Sequence, residues 1–250
     1  MSFKMREPLP PGGQLIRTTS FQLVQELGLA VFRSHGMLVV EGISGAGKTV
    51  SVEYLLAQLP AECVTLHLAN RARGNEVATG LAELLGARNL APGGRAAHKA
   101  LKALLQGRNV VIFVDEADRL NADGLRCLRY LWDQPARSWC LFLVGVDFDK
   151  AFSLVPELGN RQTRYAPFDK LAGASLVKAL KTLHPLFART DAAVLTAIDQ
   201  SSCHGVLISW RILLEALLAE GADPTTGVTL EFATPVLAKI ARRPKRGPGR

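Results

Sequence analysis

Residues Gly42-Ile43-Ser44-Gly45-Ala46-Gly47-Lys48-Thr49 read G-x-x-x-x-G-K-[ST] in full, and few stretches this short restrict a fold so tightly. The apolar run Met37-Leu38-Val39-Val40 precedes the motif and is too short for a stable helix, so it reads as a buried parallel strand. After it, Val52, Leu55, Leu56 and Leu59 recur at helical spacing until Pro60, which predicts a helix over Thr49 to Leu59. A strand, a glycine-rich turn and a helix form a phosphate cradle. The glycines let backbone N–H groups curl around an anion, and the helix adds its positive N-terminal end. Lys48 then reaches the β- and γ-phosphates of a bound nucleotide, and the Thr49 hydroxyl ligates Mg²⁺.

A second stretch completes this chemistry. Asn109 to Val114 is an apolar strand that ends in Asp115 and Glu116. Carboxylates at the C-terminal end of such a strand face the crevice where open α/β sheets hold ligands. Asp115 suits the Mg²⁺ shell, and Glu116 suits the orientation and deprotonation of an attacking water, which points to nucleotide hydrolysis rather than transfer to a metabolite. The spacing between Thr49 and Asp115 leaves room for a second strand and its helices, and places the two motif-bearing strands as central neighbours in the sheet. The letters Asp115-Glu116-Ala117-Asp118 also spell the signature of a helicase class, but those enzymes need two tandem motor domains and this chain has length for one.

Further strands are expected at Cys63 to Leu68 and Cys140 to Val144, with helices from about Asn75, as a cap, to Leu85, from Ala96 to Leu105, and from Gly124 to Trp132. Strands alternate with helices, which gives an α/β, three-layer, mostly parallel sheet with right-handed crossovers. Beyond Pro167 the apolar spacing is helical only: Leu176, Leu180 and Leu183, then Leu195 and Ile198, then Ile208, Ile212 and Leu217. The expected organisation is an irregular lead-in over 1–20, a nucleotide domain over 21–168, a small all-helical lid over 169–240 and a basic tail over 241–250. Thr234 before Pro235 is expected to open one last short helix.

Charge and cysteine usage narrow the setting. The net charge is +8, and five of those charges sit in the acid-free last ten residues, so a polyanionic partner is expected to meet the tail. The four cysteines are too far apart for a zinc pair and suggest no disulfide framework. With no apolar run near the length of a membrane span and no apolar leader, the chain reads as cytoplasmic, with no membrane partner. His67 and the Ser201-Ser202-Cys203-His204 run lack acid partners and read as structural; Trp132, Trp139 and Trp210 read as core.

Taken together, the motifs resemble the AAA+ ATPases. Within them GISGAGKT, VIFVDEADRLN (Val111 to Asn121), LFLVG (Leu141 to Gly145) and ELGNRQTRYAPF (Glu157 to Phe168) resemble the DNA-transposition ATPases, the group of Mu B, TniB and TnsC. The resemblance implies an ATP- and Mg²⁺-dependent hydrolase with a three-layer P-loop core and a helical lid. It implies head-to-tail homo-oligomers, in a ring or filament on double-stranded DNA, that recruit or activate a transposase or other recombination protein. It further implies Arg161, or alternatively Arg164, as an arginine finger reaching a neighbouring subunit, and Arg211 as the lid sensor that contacts ATP. After LFLVG the family usually carries an Asn; here Val146 and Asp147 follow, and Asp147 is the substitute sensor candidate. Candidate DNA contacts are Arg71, Arg73, Arg126 and Arg129, together with Arg242, Arg243, Lys245 and Arg246 of the tail. Two other functions fit the same motifs: a helicase loader or initiator, against which stands the lack of a recognisable winged-helix reader, and a nucleotide-gated protein-interaction switch, against which stands Glu116.

Overall fold

The computed structural model describes residues 9–67, 71–90, 94–135 and 137–242, and these divide into two compact units. The first holds Thr19–Gly42 and Lys48–Phe168; the second holds 9–18, Ile43–Gly47 and 169–242.

In the first unit the order is α1 (Thr19–Ser34), β1 (Met37–Gly42), α2 (Lys48–Leu56), β2 (Glu62–Leu66), α3 (Gly74–Leu84), α4 (Gly94–Leu105) and β3 (Val110–Val114). It continues with α5 (Ala122–Trp132), β4 (Cys140–Gly145), α6 (Phe148–Leu154), α7 (Pro156–Gly159) and β5 (Arg164–Phe168). The strands form one parallel sheet in the order β2-β3-β4-β1-β5. Every residue of β3 and β4 is buried, as a strand covered on both faces requires. On one face lie α1 and α2, with Val24, Val31 and Leu55 in the core. On the other, α3, α4 and α5 pack over Val39, Ile112, Leu141 and Leu143. This is the expected three-layer architecture.

The order corrects one expectation. β1 and β3, which carry the two motifs, are not neighbours; β4 lies between them and pairs with both. β5 also went unread, because Arg-Tyr-Ala-Pro-Phe has neither an apolar run nor strict alternation and contains Pro167. As an edge strand, β5 leaves one side without a ladder partner, where proline is tolerated. Helix α3 starts at Gly74 rather than being capped by Asn75: Arg73 is the N-cap, and the Gly74 N–H donates to Asp123 Oδ2 of α5 at 2.8 Å. A carboxylate distant in sequence thus does the work assigned to a local side chain.

The second unit is helical: α8 (Gly173–Leu183), α9 (Pro185–Arg189), α10 (Ala192–Ile198), a π-helical turn at Asp199–Cys203, α11 (Leu207–Ala219) and α12 (Leu230–Arg242). Its core gathers Leu180, Phe187, Trp210 and Leu214. Asp199 Oδ1 accepts from Trp210 Nε1 at 3.1 Å and from the Gly205 N–H at 2.6 Å, tying the turn to α11. Residues 9–18 form no helix or strand, and the Gln14 N–H donates to the Leu183 carbonyl at 2.8 Å. Pro235 does not open α12, which begins at Leu230; the proline lies inside it. All four cysteines are unpaired. Burial pushes their thiols up, Cys63 to about 11 and Cys127, Cys140 and Cys203 to about 12. Among the described residues no single helix is long and apolar enough to cross a membrane.

Gly42 closes β1 against β5. A Cβ there would stand 2.2 Å from the Phe168 carbonyl oxygen, a backbone atom that cannot rotate away. Gly42→Ala is therefore expected to destabilise the protein by about 1–3 kcal/mol, as overpacking does elsewhere. Urea unfolding without nucleotide measures this, and an unmoved midpoint would contradict the close β1–β5 approach.

Candidate functional site

At the C-terminal ends of β1 and β3 the first unit collects Lys48, Thr49, Asp115, Glu116, Asp118 and Glu41. The loop leaving β1 turns through Gly45 at φ 76° and Gly47 at φ 105°, left-handed conformations that cost glycine little. Lys48 opens α2 and is 7% exposed. Its Nζ donates to the Gly42 carbonyl at 2.7 Å, so the side chain turns back toward the start of the loop. Burial holds the Lys48 ammonium below its ordinary pKa, opposed by the charges of Asp118, Asp115, Glu116 and Glu41.

The Thr49 hydroxyl lies 3.2 Å from both Oδ1 and Oδ2 of Asp115. One residue on α2 thus meets one at the end of β3 across the intervening β4. A hydroxyl and a carboxylate facing each other at this spacing form an oxygen donor set that suits Mg²⁺. Asp118 Oδ1 is buried with no hydrogen-bond partner and faces Gly145, whose missing Cβ leaves it room. The Asp118 charge acts on the Lys48 ammonium, but among the described residues no group of three or more His, Cys, Asp or Glu side chains is placed to hold a metal ion. Asp118 was not singled out from the sequence; its signal is the third acid of Asp-Glu-Ala-Asp, which the 3₁₀ turn Ala117–Arg119 brings back toward the strand ends.

Glu116 adopts φ 52°, the left-handed region that a residue with a Cβ occupies at a cost of about 1–2 kcal/mol. Its N–H donates to Asp115 Oδ1 at 3.0 Å, and its exposed carboxylate pairs with Arg119 at 2.8 Å. Glu41, also not foreseen, accepts the Phe148 N–H at 3.1 Å and the Tyr165 hydroxyl at 3.0 Å, and so braces β1 against α6 and β5.

The other candidates are distributed as follows. Asp147 is the N-cap of α6 and accepts the Lys150 N–H at 3.0 Å. Arg161 binds Asp133 of the same chain with two contacts, Nε to Oδ1 at 2.8 Å and Nη2 to Oδ2 at 3.2 Å. The same carboxylate pairs with Arg129 at 2.9 Å, and the Arg161 hydrogen bond chiefly holds it below the ordinary carboxylate range. Arg164 lies on β5 and donates to the Thr163 carbonyl at 2.8 Å. Arg211, on α11 in the second unit, is 3.4 Å from Glu215. Arg71 is left-handed at φ 63°, with its N–H on the Arg119 carbonyl. Arg73 donates its N–H to Glu76, and Arg126 is exposed on α5. Arg242 ends α12, whereas Arg243, Lys245 and Arg246 lie outside the described residues.

Comparison with known proteins agrees with this geometry at the level of fold. A family described as AAA domain matches residues 32–149. No curated protein shows significant similarity to the chain. Among solved structures, Orc1 of Aeropyrum pernix in complex with DNA superposes with a TM-score of 0.64 at 17% identity, covering 91% of this chain and 66% of that one. Cdc6p of Pyrobaculum aerophilum gives 0.63 at 17% identity, with 87% and 64% covered. The RuvB Holliday junction branch migration motor of Thermotoga maritima gives 0.59 at 16% identity, with 90% and 70% covered. The chain thus spans about two thirds of the length of these structures. A parallel five-stranded sheet in this order, a phosphate-cradle motif leaving β1, acids ending β3, and a mostly helical C-terminal part make this the AAA+ P-loop NTPase fold.

Proposed function

We propose that the chain is an ATP hydrolase that assembles on double-stranded DNA. The observation that carries the hydrolase reading is the 3.2 Å meeting of the Thr49 hydroxyl with Asp115, beside the buried Lys48 ammonium. In this reading the Gly42-to-Thr49 loop and the α2 N-terminus receive the phosphates of ATP, and Lys48 leaves the Gly42 carbonyl for the γ-phosphate. Thr49 and Asp115 would hold Mg²⁺, which when bound neutralises charge on the phosphate oxygens. Glu116 takes the proton of the attacking water. Its pairing with Arg119 holds the carboxylate in place until a substrate is present.

Arg161 is the finger in this reading, and Asp133 occupies it within one chain. Assembly must then exchange an intrachain carboxylate for a neighbour's phosphates, which makes hydrolysis depend on assembly. Arg211 is the lid sensor. Arg71, Arg73, Arg126 and Arg129, with the tail from Arg242, face the DNA backbone, where contacts position without reading sequence. A cytoplasmic location accords with four unpaired, protonated thiols. The finer role of transposition helper to a transposase or other recombination protein rests on the sequence resemblance alone. The loader or initiator role is the second reading, and the likeness in fold to an Orc1 structure determined with DNA favours it.

Lys48→Ala is expected to abolish ATP binding, because the charge facing the phosphates is lost; calorimetric titration reads it, and wild-type affinity would remove the P-loop assignment. Glu116→Gln should retain ATP and lose turnover by 100-fold or more, about the contribution of a positioned base, and an unchanged steady-state rate would place the base elsewhere. Arg161→Ala should spare nucleotide binding by dilute subunits and lose DNA-stimulated hydrolysis. Mixed with Glu116→Gln it should regain part of that activity; no recovery at any ratio, with both variants still assembling, would rule out a finger acting across subunits.

A further inference from the structure

The outer face of α4 is cationic throughout. Arg95, Lys99 and Lys102 recur one turn apart on a helix with no acid, and among the described residues none of the three is in an ion pair. Together with His98 and Tyr130 of α5 they line a groove of about 500 Å³.

The floor of the groove is ordered. His98 Nδ1 lies 2.7 Å from the Gly94 carbonyl, which can only accept, so Nδ1 carries the proton. His98 Nε2 lies 3.4 Å from Cys127 Sγ, whose thiol burial keeps protonated. Both ring nitrogens are engaged, and the ring stands edge-on to Tyr130 with centroids 5.7 Å apart. Tyr130 is 48% exposed and presents the rest of its ring to solvent. One turn back on α5, the exposed Arg126 shares its helix face.

We propose that this groove between α4 and α5 binds the sugar–phosphate backbone of DNA, with Arg95, Lys99 and Lys102 on phosphates of one strand and Tyr130 against the sugar edge. The seven steps from Arg95 to Lys102 rise about 10 Å along the helix, about three base steps of one strand, so the three cations fall within a run of four phosphates. Unpaired cations at that pitch displace counterions from the DNA on meeting phosphate, and the exposed Tyr130 ring lines the same groove. The proposal rests on the DNA-binding reading for its occupant, and it places contact on α4, outside the arginines singled out from the sequence.

The test is binding of the full chain, with ATP, to a duplex of about 30 base pairs across about 50 to 200 mM salt. Arg95→Gln/Lys99→Gln/Lys102→Gln should flatten the slope of log affinity against log salt by about 2.7, at 0.9 per phosphate. Tyr130→Ala should weaken binding several-fold without changing the slope. Lys178→Gln/Lys181→Gln, a charge-neutralising control on α8, should leave the slope alone. Circular dichroism and thermal unfolding of each variant confirm that it folds. An unchanged slope and affinity in the triple variant, or equal flattening by the α8 control, overturns the groove while leaving DNA binding standing. If the wild-type chain binds no DNA with ATP, the DNA reading itself fails and the groove loses this occupant, with an acidic protein surface as the alternative.

Discussion

A buried ammonium is costly unless carboxylates surround it, and the first unit is organised around that requirement at Lys48. The side chain is almost fully buried, its nearest anchor is the Gly42 carbonyl, and Asp115, Glu116, Asp118 and Glu41 supply the opposing charge. Those four acids come from β1 and from the segment that follows β3. The sheet order therefore has to bring the ends of these strands together, and β4, uncharged along its length, fills the gap between them. Burial and charge pull the lysine in opposite directions. A ligand carrying phosphates relieves that tension by offering the ammonium a stronger partner than a carbonyl.

Around this centre the same logic of satisfied carboxylates recurs. Asp123 serves the α3 N-terminus, Asp147 the α6 N-terminus, and Asp133 holds Arg129 and Arg161 at once. Asp118 is the exception, with a buried oxygen that meets no donor. Asp133 shows the converse: one exposed carboxylate serves two half-buried arginines, Arg129 and Arg161, in a pairing that solvent screens.

Much of this was legible beforehand, for identifiable reasons. Gly45 and Gly47 turn through positive φ, and a glycine-rich run before a helix does so at little cost. β3 and β4 are covered on both faces and therefore read as unbroken apolar runs. The edge strand β5, half-exposed and carrying Pro167, presents no such run, so its periodicity is weak. The α3 cap was misread because its acceptor, Asp123, is supplied from a helix beyond the next strand, where local capping rules cannot see it.

What the sequence determined by itself was the chemistry available at the strand ends: a phosphate-binding turn, a lysine and threonine at its exit, and two acids ending a buried strand. These are local properties, set by glycine torsions, helix termini and apolar runs. What only the tertiary structure decided was which groups meet. The insertion of β4 between β1 and β3, the approach of Thr49 to Asp115, the recruitment of Asp118 and Glu41, and the pairing of Arg161 with Asp133 depend on strand order and side-chain direction. So does the cationic groove, since nothing along the chain says that Tyr130 of α5 comes to stand beside His98 of α4. Contacts between residues distant in sequence are governed by how layers pack, and packing is a property of the whole core rather than of any window within it.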